Sequence, residues 1–417
     1  MEYEACYCHE ILQTPIRYAG LSSSVNKKNS GSEYSMRILT IIYEFPPVGG
    51  GGGRAAYDIC KELAARDHNV VVLTAHMQGL PFQNNEDGIH VVRISSLRNE
   101  SFRATFLTML AYVLSGLWAG LRIISIHRPD IIHTHFAVPS GALAWTLSIL
   151  TGIPYVLTAH LGDVPGGVPE KTGAWFRWLE PFTKPIWRRA KKVVAVSEFT
   201  RQLALVHYAV DVQVIPNGVD VLHIVPPVVK VNTPPHLVFA GRFVHQKNPL
   251  AIVNILSQLK DLDWTCSMLG DGPMFDDVKK EIVKNEMSGR FNLPGWVTPE
   301  DVLNQFAKSD ILFMPSFSEG LPVVGVQALA KGLAIVASQI GGFLDLVDHE
   351  KNGYLIDVQD TRSFSQSLRK IISDPNLLLR FRRASIEKSS EFDIQKVVDK
   401  YESIFQSLMN ENKDNHF

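Results

Sequence analysis

Glu319 stands in a stretch that reads as a strand, a tight loop and the start of a buried helix. Ile311–Met314 is continuously apolar, Ser316, Ser318 and Gly320 are loop formers, Pro322 suits the beginning of a helix, and an apolar run then continues to Gly332. The first turn of such a helix carries unpaired N–H groups and about half a positive charge, which suits a phosphate group. A carboxylate beside a phosphate site repels it, so Glu319 fits there by gripping whatever hangs from that phosphate. The other reading makes Glu319 a helix cap. Gln327 poses the same choice, because an amide in an apolar helix must find hydrogen-bond partners, either ligand hydroxyls or backbone.

Cations come from a second place. Gly241-Arg-Phe-Val-His-Gln-Lys247 follows the apolar run His236–Ala240 and so puts Arg242 and Lys247 at a strand end. Arginine grips phosphate oxygens in a fork and lysine acts as a mobile point charge. Taken alone, such a pair also reads as a solvated loop. The glycines of Phe45-Pro-Pro-Val-Gly-Gly-Gly-Gly-Gly53 stand after the first apolar run, where backbone can approach a ligand closely; a flexible loop is the other reading. No Gly-Lys-Ser/Thr follows them, so they are no Walker loop, and Leu73–His76 lacks the acidic residue of a dinucleotide fingerprint. His160 and Asp163 close the run Tyr155–Thr158, where a lone histidine reads equally well as a structural residue.

Parallel sheet is what would bring these strand ends together. From Arg37 the chain alternates apolar runs with helical segments: Ile38–Tyr43, a helix Arg54–Arg66, Asn69–Thr74, Gly88–Ile94, then Asp130–His135, a helix through Leu143–Leu150, Tyr155–Thr158, Val193–Val196 and Val212–Ile215. The proline-rich stretch 226–235 is a stiff connector, after which strands recur at His236–Ala240, Trp264–Leu269, Ile311–Met314 and Leu333–Ala337. The expectation is an α/β chain of two doubly wound lobes, 36–225 and 236–392, with a last amphipathic helix in 393–417. Residues 1–35 are polar and aperiodic and read as a disordered or non-native extension upstream of Met36.

Composition narrows the class. The 417 residues are 46% apolar and 20% charged, which is globular and long enough for two domains. A net charge of −1 argues against a nucleic-acid partner. The four cysteines, Cys6, Cys8, Cys60 and Cys266, are too few and scattered for a disulfide scaffold or a zinc site, and no metal is expected; a reducing cytoplasm fits them. Residues 104–121 carry no charge and approach a membrane span in length, but Ser, Thr and Gly dilute them, so a buried helix is expected. Between Trp175 and Lys192, five Trp/Phe positions lie among six basic residues, which reads either as a face for anionic lipid or as aromatic core behind a solvated basic face.

Taken together, Ser-x-x-Glu319-Gly-x-Pro, Gly241-Arg-x-x-x-x-Lys247, Ala-His160-Leu-Gly-Asp163, Gly50-Gly51, Pro216-Asn-Gly-Val-Asp220 and Gly270-Asp-Gly-Pro273 resemble, in the right order, the retaining glycosyltransferases of family four. That resemblance implies the GT-B fold, a first lobe for the acceptor, a second for a nucleotide sugar, and a last helix that packs back toward the first lobe. It implies a hexose moved from a nucleotide-diphosphate sugar to a saccharide or lipid-linked acceptor in surface polysaccharide or glycolipid synthesis, with retention and without metal or other cofactor. Glu319 would hold a sugar hydroxyl, Arg242 and Lys247 the diphosphate, and His160 the sugar, making these four the catalytic set. Gly50, Gly51, Gly241, Gly320, Leu321, Pro322, Val323 and Gln327 would complete the donor site, and Asp163 would contact sugar or acceptor. Such an enzyme is expected in the cytoplasm, peripheral to the membrane through residues 175–192. Gln327 departs from the family pattern, which has a second Glu there. The alternatives are a sugar-nucleotide-binding protein with weakened catalysis and another GT-B enzyme such as an epimerase.

Overall fold

The computed structural model describes residues 35–98, 105–168, 176–226 and 228–414. The reading of residues 1–35 as an extension therefore lies outside the described residues, Ser35 apart.

Eight strands form the first sheet: β1 (Arg37–Ile41), β2 (Asn69–Ala75), β3 (Gln83–Glu86), β4 (Ile89–Ile94), β5 (Ile131–His135), β6 (Tyr155–Ala159), β7 (Lys192–Ala195) and β8 (Val212–Val214). Their order is β3-β4-β2-β1-β5-β6-β7-β8, parallel throughout except that β3 runs antiparallel along β4 at the edge. The helices α1 (Gly51–Ala65), α2 (Phe106–His127), α3 (Ala142–Thr151), α4 (Phe176–Arg189) and α5 (Glu198–His207) make the crossovers. Because side chains alternate along a strand, β1 feeds two cores. Ile38 shares a core with Ile59 and Leu63 of α1 on one face, while Leu39 and Ile41 share another with Tyr112, Leu143, Leu147 and Trp187 on the other.

Six strands form the second sheet in the order β11-β10-β9-β12-β13-β14. They are β9 (His236–Ala240), β10 (Thr265–Leu269), β11 (Phe291–Gly295), β12 (Ile311–Met314), β13 (Ala334–Ser338) and β14 (Gly353–Ile356), all parallel. The helices α6 (Pro249–Leu256), α7 (Phe275–Lys284), α8 (Pro299–Ala307), α9 (Val323–Ala330), α10 (Thr361–Ser373) and α11 (Pro375–Ser389) cover them. A buried ion pair, Arg382 with Asp310, ties α11 to the start of β12, and Asp310 also accepts from Asn232 in the connector.

The last helix, α12 (Ile394–Asp414), belongs to the first lobe by packing. Val397, Val398, Tyr401 and Phe405 share a core with Met36 and Ile38, and the buried His68 ring, at the end of α1, lies 2.6 Å from the Glu402 carboxylate. Gly218 sits so close to Ile394 that a Cβ there would come within 3.0 Å of its Cα, which locks the helix start under the loop after β8.

Two expectations need correction, and one open reading divides. The five glycines are no free loop: α1 begins at Gly51, not Arg54, with Gly50 as its N-cap. The uncharged helix is not buried, since in α2 only Tyr112, Gly116, Gly120 and Ile123 are. And in the aromatic stretch, Trp187 is core, stacked on Tyr208 at 4.1 Å, whereas Phe182 is 75% exposed. The side chains of 175–179 lie outside the described residues.

Candidate active site

The loop after β12 holds Glu319, and the turn after β9 holds Lys247. Three neighbouring clips bring them together: Gln246 Nε2 donates to the Ser318 carbonyl at 2.8 Å, Phe317 N–H donates to the Gln246 carbonyl at 2.8 Å, and Asn248 Nδ2 donates to the Pro315 carbonyl at 3.2 Å. The His245 ring stacks on Phe317 beside them. Held this way, Lys247 Nζ donates to both Glu319 oxygens, at 2.5 and 2.7 Å, with the carboxylate side chain 5% exposed and the lysine 16%. Arg242 leaves the same turn with its side chain exposed.

Behind Glu319 the backbone is pressed from two sides. Gly342 N–H donates to the Glu319 carbonyl, and a Cβ on Gly342 would fall 1.8 Å from the Gly320 carbonyl oxygen, an impossible contact. Asn217, from the loop after β8, donates to the Leu321 carbonyl at 2.9 Å. These contacts fix where α9 starts. Leu321, Pro322 and Val323 are buried there, and Gln327 lies half-buried one turn further on.

The first lobe faces this loop directly. The glycine start of α1 meets the start of α9: a Cβ on Gly51 would sit 3.6 Å from Val323 Cγ2. Gly50 caps α1 with open space around it. Leu161 packs on Gly320, and Ser318 Oγ donates to the Gly167 carbonyl at 2.6 Å. Two helix N-termini, a buried carboxylate and a lysine therefore come together between the sheets. Gly241 lies beneath Lys247, its N–H on the Leu269 carbonyl and its open side against the Lys247 chain.

His160 joins them from the first lobe. Its ring stacks on Phe136 at 4.2 Å, and its Cε1 would lie 3.4 Å from a Cβ on Gly52. Burial pushes its pKa down to about 4, so at neutral pH it is an uncharged hydrogen-bonding ring. His135 stands behind it, Nδ1 to Nε2 at 3.4 Å, its own pKa lowered by burial and by His133 and His160. Next along β5, His133 is pushed down to about 3 by burial, and it meets Thr158, which bonds the Tyr401 hydroxyl of α12. One Asp163 oxygen accepts from His160 N–H and the other from Ala137 N–H, each at 2.8 Å. Asp163 sets the two loops on which His160 and Phe136 sit.

Sequence reasoning passed over Asn217, Gln246, Asn248 and the pair Gly341–Gly342 as site builders. Asn217 carried a signal, since it lies in the motif Pro216–Asp220; the other polar residues act through whichever backbone lies across from them, which no local pattern shows.

The sequence matches known families in both lobes. Residues 49–222 match the model described as Glycosyltransferase Family 4, and residues 224–388 match Glycosyl transferases group 1. The chain belongs to the family four glycosyltransferases. It is 27% identical over 336 residues to the UDP-Gal:alpha-D-GlcNAc-diphosphoundecaprenol alpha-1,3-galactosyltransferase of Escherichia coli, covering 75% of this chain and 85% of that one. Among solved structures, sucrose-phosphate synthase from Thermosynechococcus elongatus superposes with a TM-score of 0.79 at 17% identity over 90% of this glycosyltransferase and 99% of that chain. The Anabaena protein HepE, solved with UDP and glucose, gives 0.71 at 18% identity over 89% and 100%. The fold of this glycosyltransferase is therefore GT-B, two parallel-sheet lobes.

Proposed function

We propose that this glycosyltransferase moves a hexose from a nucleotide-diphosphate sugar to a saccharide or lipid-linked acceptor with retention of configuration and without metal. The observation that carries the reading is the Lys247–Glu319 pair between the two lobes, beside the start of α9. A sugar diphosphate needs cations for its phosphates and an acceptor of hydrogen bonds for its sugar hydroxyls, and these two side chains supply one of each. Arg242 and the first-turn N–H groups of α9 add positive potential on the same side. The donors in complexes of related folds agree in kind, HepE having been solved with UDP and glucose. The galactosyltransferase relative is named for a diphosphoundecaprenol acceptor, which supports a lipid-linked acceptor and a role in surface polysaccharide or glycolipid synthesis.

In the proposed step, the acceptor oxygen bonds to the anomeric carbon on the face from which the diphosphate leaves. The bond from that carbon to the phosphate oxygen breaks, and the acceptor's proton passes to the departing phosphate. Lys247 and Arg242 stabilise the charge that develops there, Glu319 orients a sugar hydroxyl, and neutral His160 hydrogen-bonds the sugar from the opposite wall. Asp163, with both oxygens on backbone N–H groups, is poorly placed as a covalent nucleophile, which favours this front-side path over double displacement. A cytoplasmic setting is part of this proposal, supported by the free, buried thiols of Cys60 and Cys266.

The experiment is a screen of UDP, GDP and ADP sugars by thermal shift, followed by donor turnover in EDTA and by NMR of the product's anomeric configuration. At 100 times Kd a ligand bound only by the native state adds about 2.7 kcal/mol of stability. Binding with no turnover on any acceptor or water would favour a binding protein, and inversion would overturn the front-side path.

A further inference from the structure

The outward side of α2 exposes apolar side chains that the candidate site does not use. Phe106, Leu107, Leu110, Leu114 and Trp118 are between 43% and 68% exposed. Leu107, Leu110, Leu114 and Trp118 recur every three or four residues, with Phe106 beside the first, so within this 22-residue helix they form one stripe about 18 Å long at 1.5 Å per residue. A stripe of this kind would be core in an ordinary soluble helix.

The helix is nevertheless firmly part of the lobe. Gly116 and Gly120 let it lie flat on α3: a Cβ on either would come within 2.5 or 2.6 Å of Leu143 or Leu147. The buried Tyr112 hydroxyl donates to the Leu73 carbonyl at 3.2 Å on the inner side. A segment pinned this way lies along a surface; it cannot cross a bilayer without leaving its sheet.

Charge says what covers it. Neither α2 nor α3 contains an acidic residue. Arg122 is exposed and stands over the Trp118 ring at 5.7 Å, and Arg128 is exposed just past the helix end. Next to α3, where Ile149 and Leu150 are 47% and 58% exposed, Arg189 of α4 donates to the Ser148 carbonyl, and Arg188, Lys191 and Lys192 are exposed beside it. Apolar side chains flanked by cations, with no carboxylate on the two helices, fit the headgroup boundary of an anionic bilayer.

We infer that the outward stripe of α2, with the basic residues at its end and at the end of α4, is a docking surface for an anionic membrane, on which the first lobe lies with α2 parallel to the bilayer plane. The apolar stripe enters the headgroup boundary and the arginines and lysines meet lipid phosphates. The inference concerns attachment alone and holds whichever sugar and acceptor are used.

The test is flotation of the full chain with vesicles of phosphatidylcholine alone and with 30% phosphatidylglycerol, without donor or acceptor, beside size-exclusion measurement of oligomeric state. Expected is partition at least ten-fold stronger on the anionic vesicles. Leu114→Glu with Trp118→Glu should lower it at least ten-fold while the melting temperature and the nucleotide-induced shift stay as in the parent, and Arg122→Glu with Arg128→Glu should lower it mainly on anionic vesicles. Equal partition of the parent and the Leu114→Glu, Trp118→Glu variant, or no partition of the parent, would overturn the inference. So would a parent dimer that the same variant turns into monomer, because the stripe would then be an interface between copies. Vesicle binding with no sugar transfer would leave docking standing and remove the transferase reading instead.

Discussion

Replacing Lys247 with methionine leaves the Glu319 carboxylate, 5% exposed, with no cation on either oxygen. Breaking one side of a buried ion pair costs about 3–5 kcal/mol, because the remaining charge is neither solvated nor paired. The expected loss is about 3 kcal/mol or more. Glu319→Gln should cost less, about 1–3 kcal/mol, since Lys247 is 16% exposed and reaches water. The double variant Lys247→Met with Glu319→Gln removes both charges and should return to within about 1 kcal/mol of the parent, giving a coupling energy of about 3 kcal/mol or more. The assay is a denaturant titration of the full chain followed on the second lobe's transition, run beside donor turnover. In turnover all three variants should be depressed alike, about a thousand-fold in kcat/KM, a loss of about 4 kcal/mol of transition-state stabilisation. Stability rescued without activity is the signature of a pair that also serves as the donor's grip. Single variants that each cost under about 0.5 kcal/mol and add would show that the two side chains do not meet in solution, and the site argument would fall with them.

Gln327→Glu should keep turnover and tighten the donor, up to about ten-fold in KM, because a charge-assisted bond to a hydroxyl is roughly twice as strong as a neutral one; a ten-fold weaker KM would remove Gln327 from the donor site. Gly342→Ala should abolish activity and lower the melting temperature, since its methyl group collides with the Gly320 carbonyl and must displace the Glu319 loop; an active, equally stable variant would contradict that close approach. Acidification should destabilise the first lobe. His133 and His160 are neutral in the fold with pKa values near 3 and 4, against about 6.5 when unfolded, so the unfolded chain binds more protons below pH 6.5. Their stabilisation is complete above about pH 6.5 and falls by up to about 1.4 kcal/mol per pH unit for each ring as pH drops toward 4. Melting temperatures measured from pH 7.5 to 4.5 should decline accordingly, and a flat profile would mean that these rings are hydrated.

The interior strands were legible because burial on both faces writes them as largely apolar runs: β1, β2, β6, β9, β12 and β13 all read this way, and β5 does so in Ile131 and Ile132. The missed strands are marginal ones. β3 is Gln-Asn-Asn-Glu on an open edge, β11 carries Pro294, and β14 is four residues at the other edge. Edge strands need only one neighbour and show little core pattern.

By itself the sequence determined which residues could do chemistry, because residue type and position at a strand end are local properties: Glu319, Arg242, Lys247 and His160 were all visible as candidates. Only tertiary structure decided what each one faces. Lys247 meets Glu319 through the hydrogen bonds of Gln246 and Asn248 to a loop some 70 residues away, and Asp163 turns to two backbone N–H groups. Likewise the apolar length of α2 was plain from composition, while its exposure depended on which side α3 covers, and hydropathy along a chain carries no direction. A side chain's chemistry is intrinsic, whereas its partner is set by packing across the whole fold.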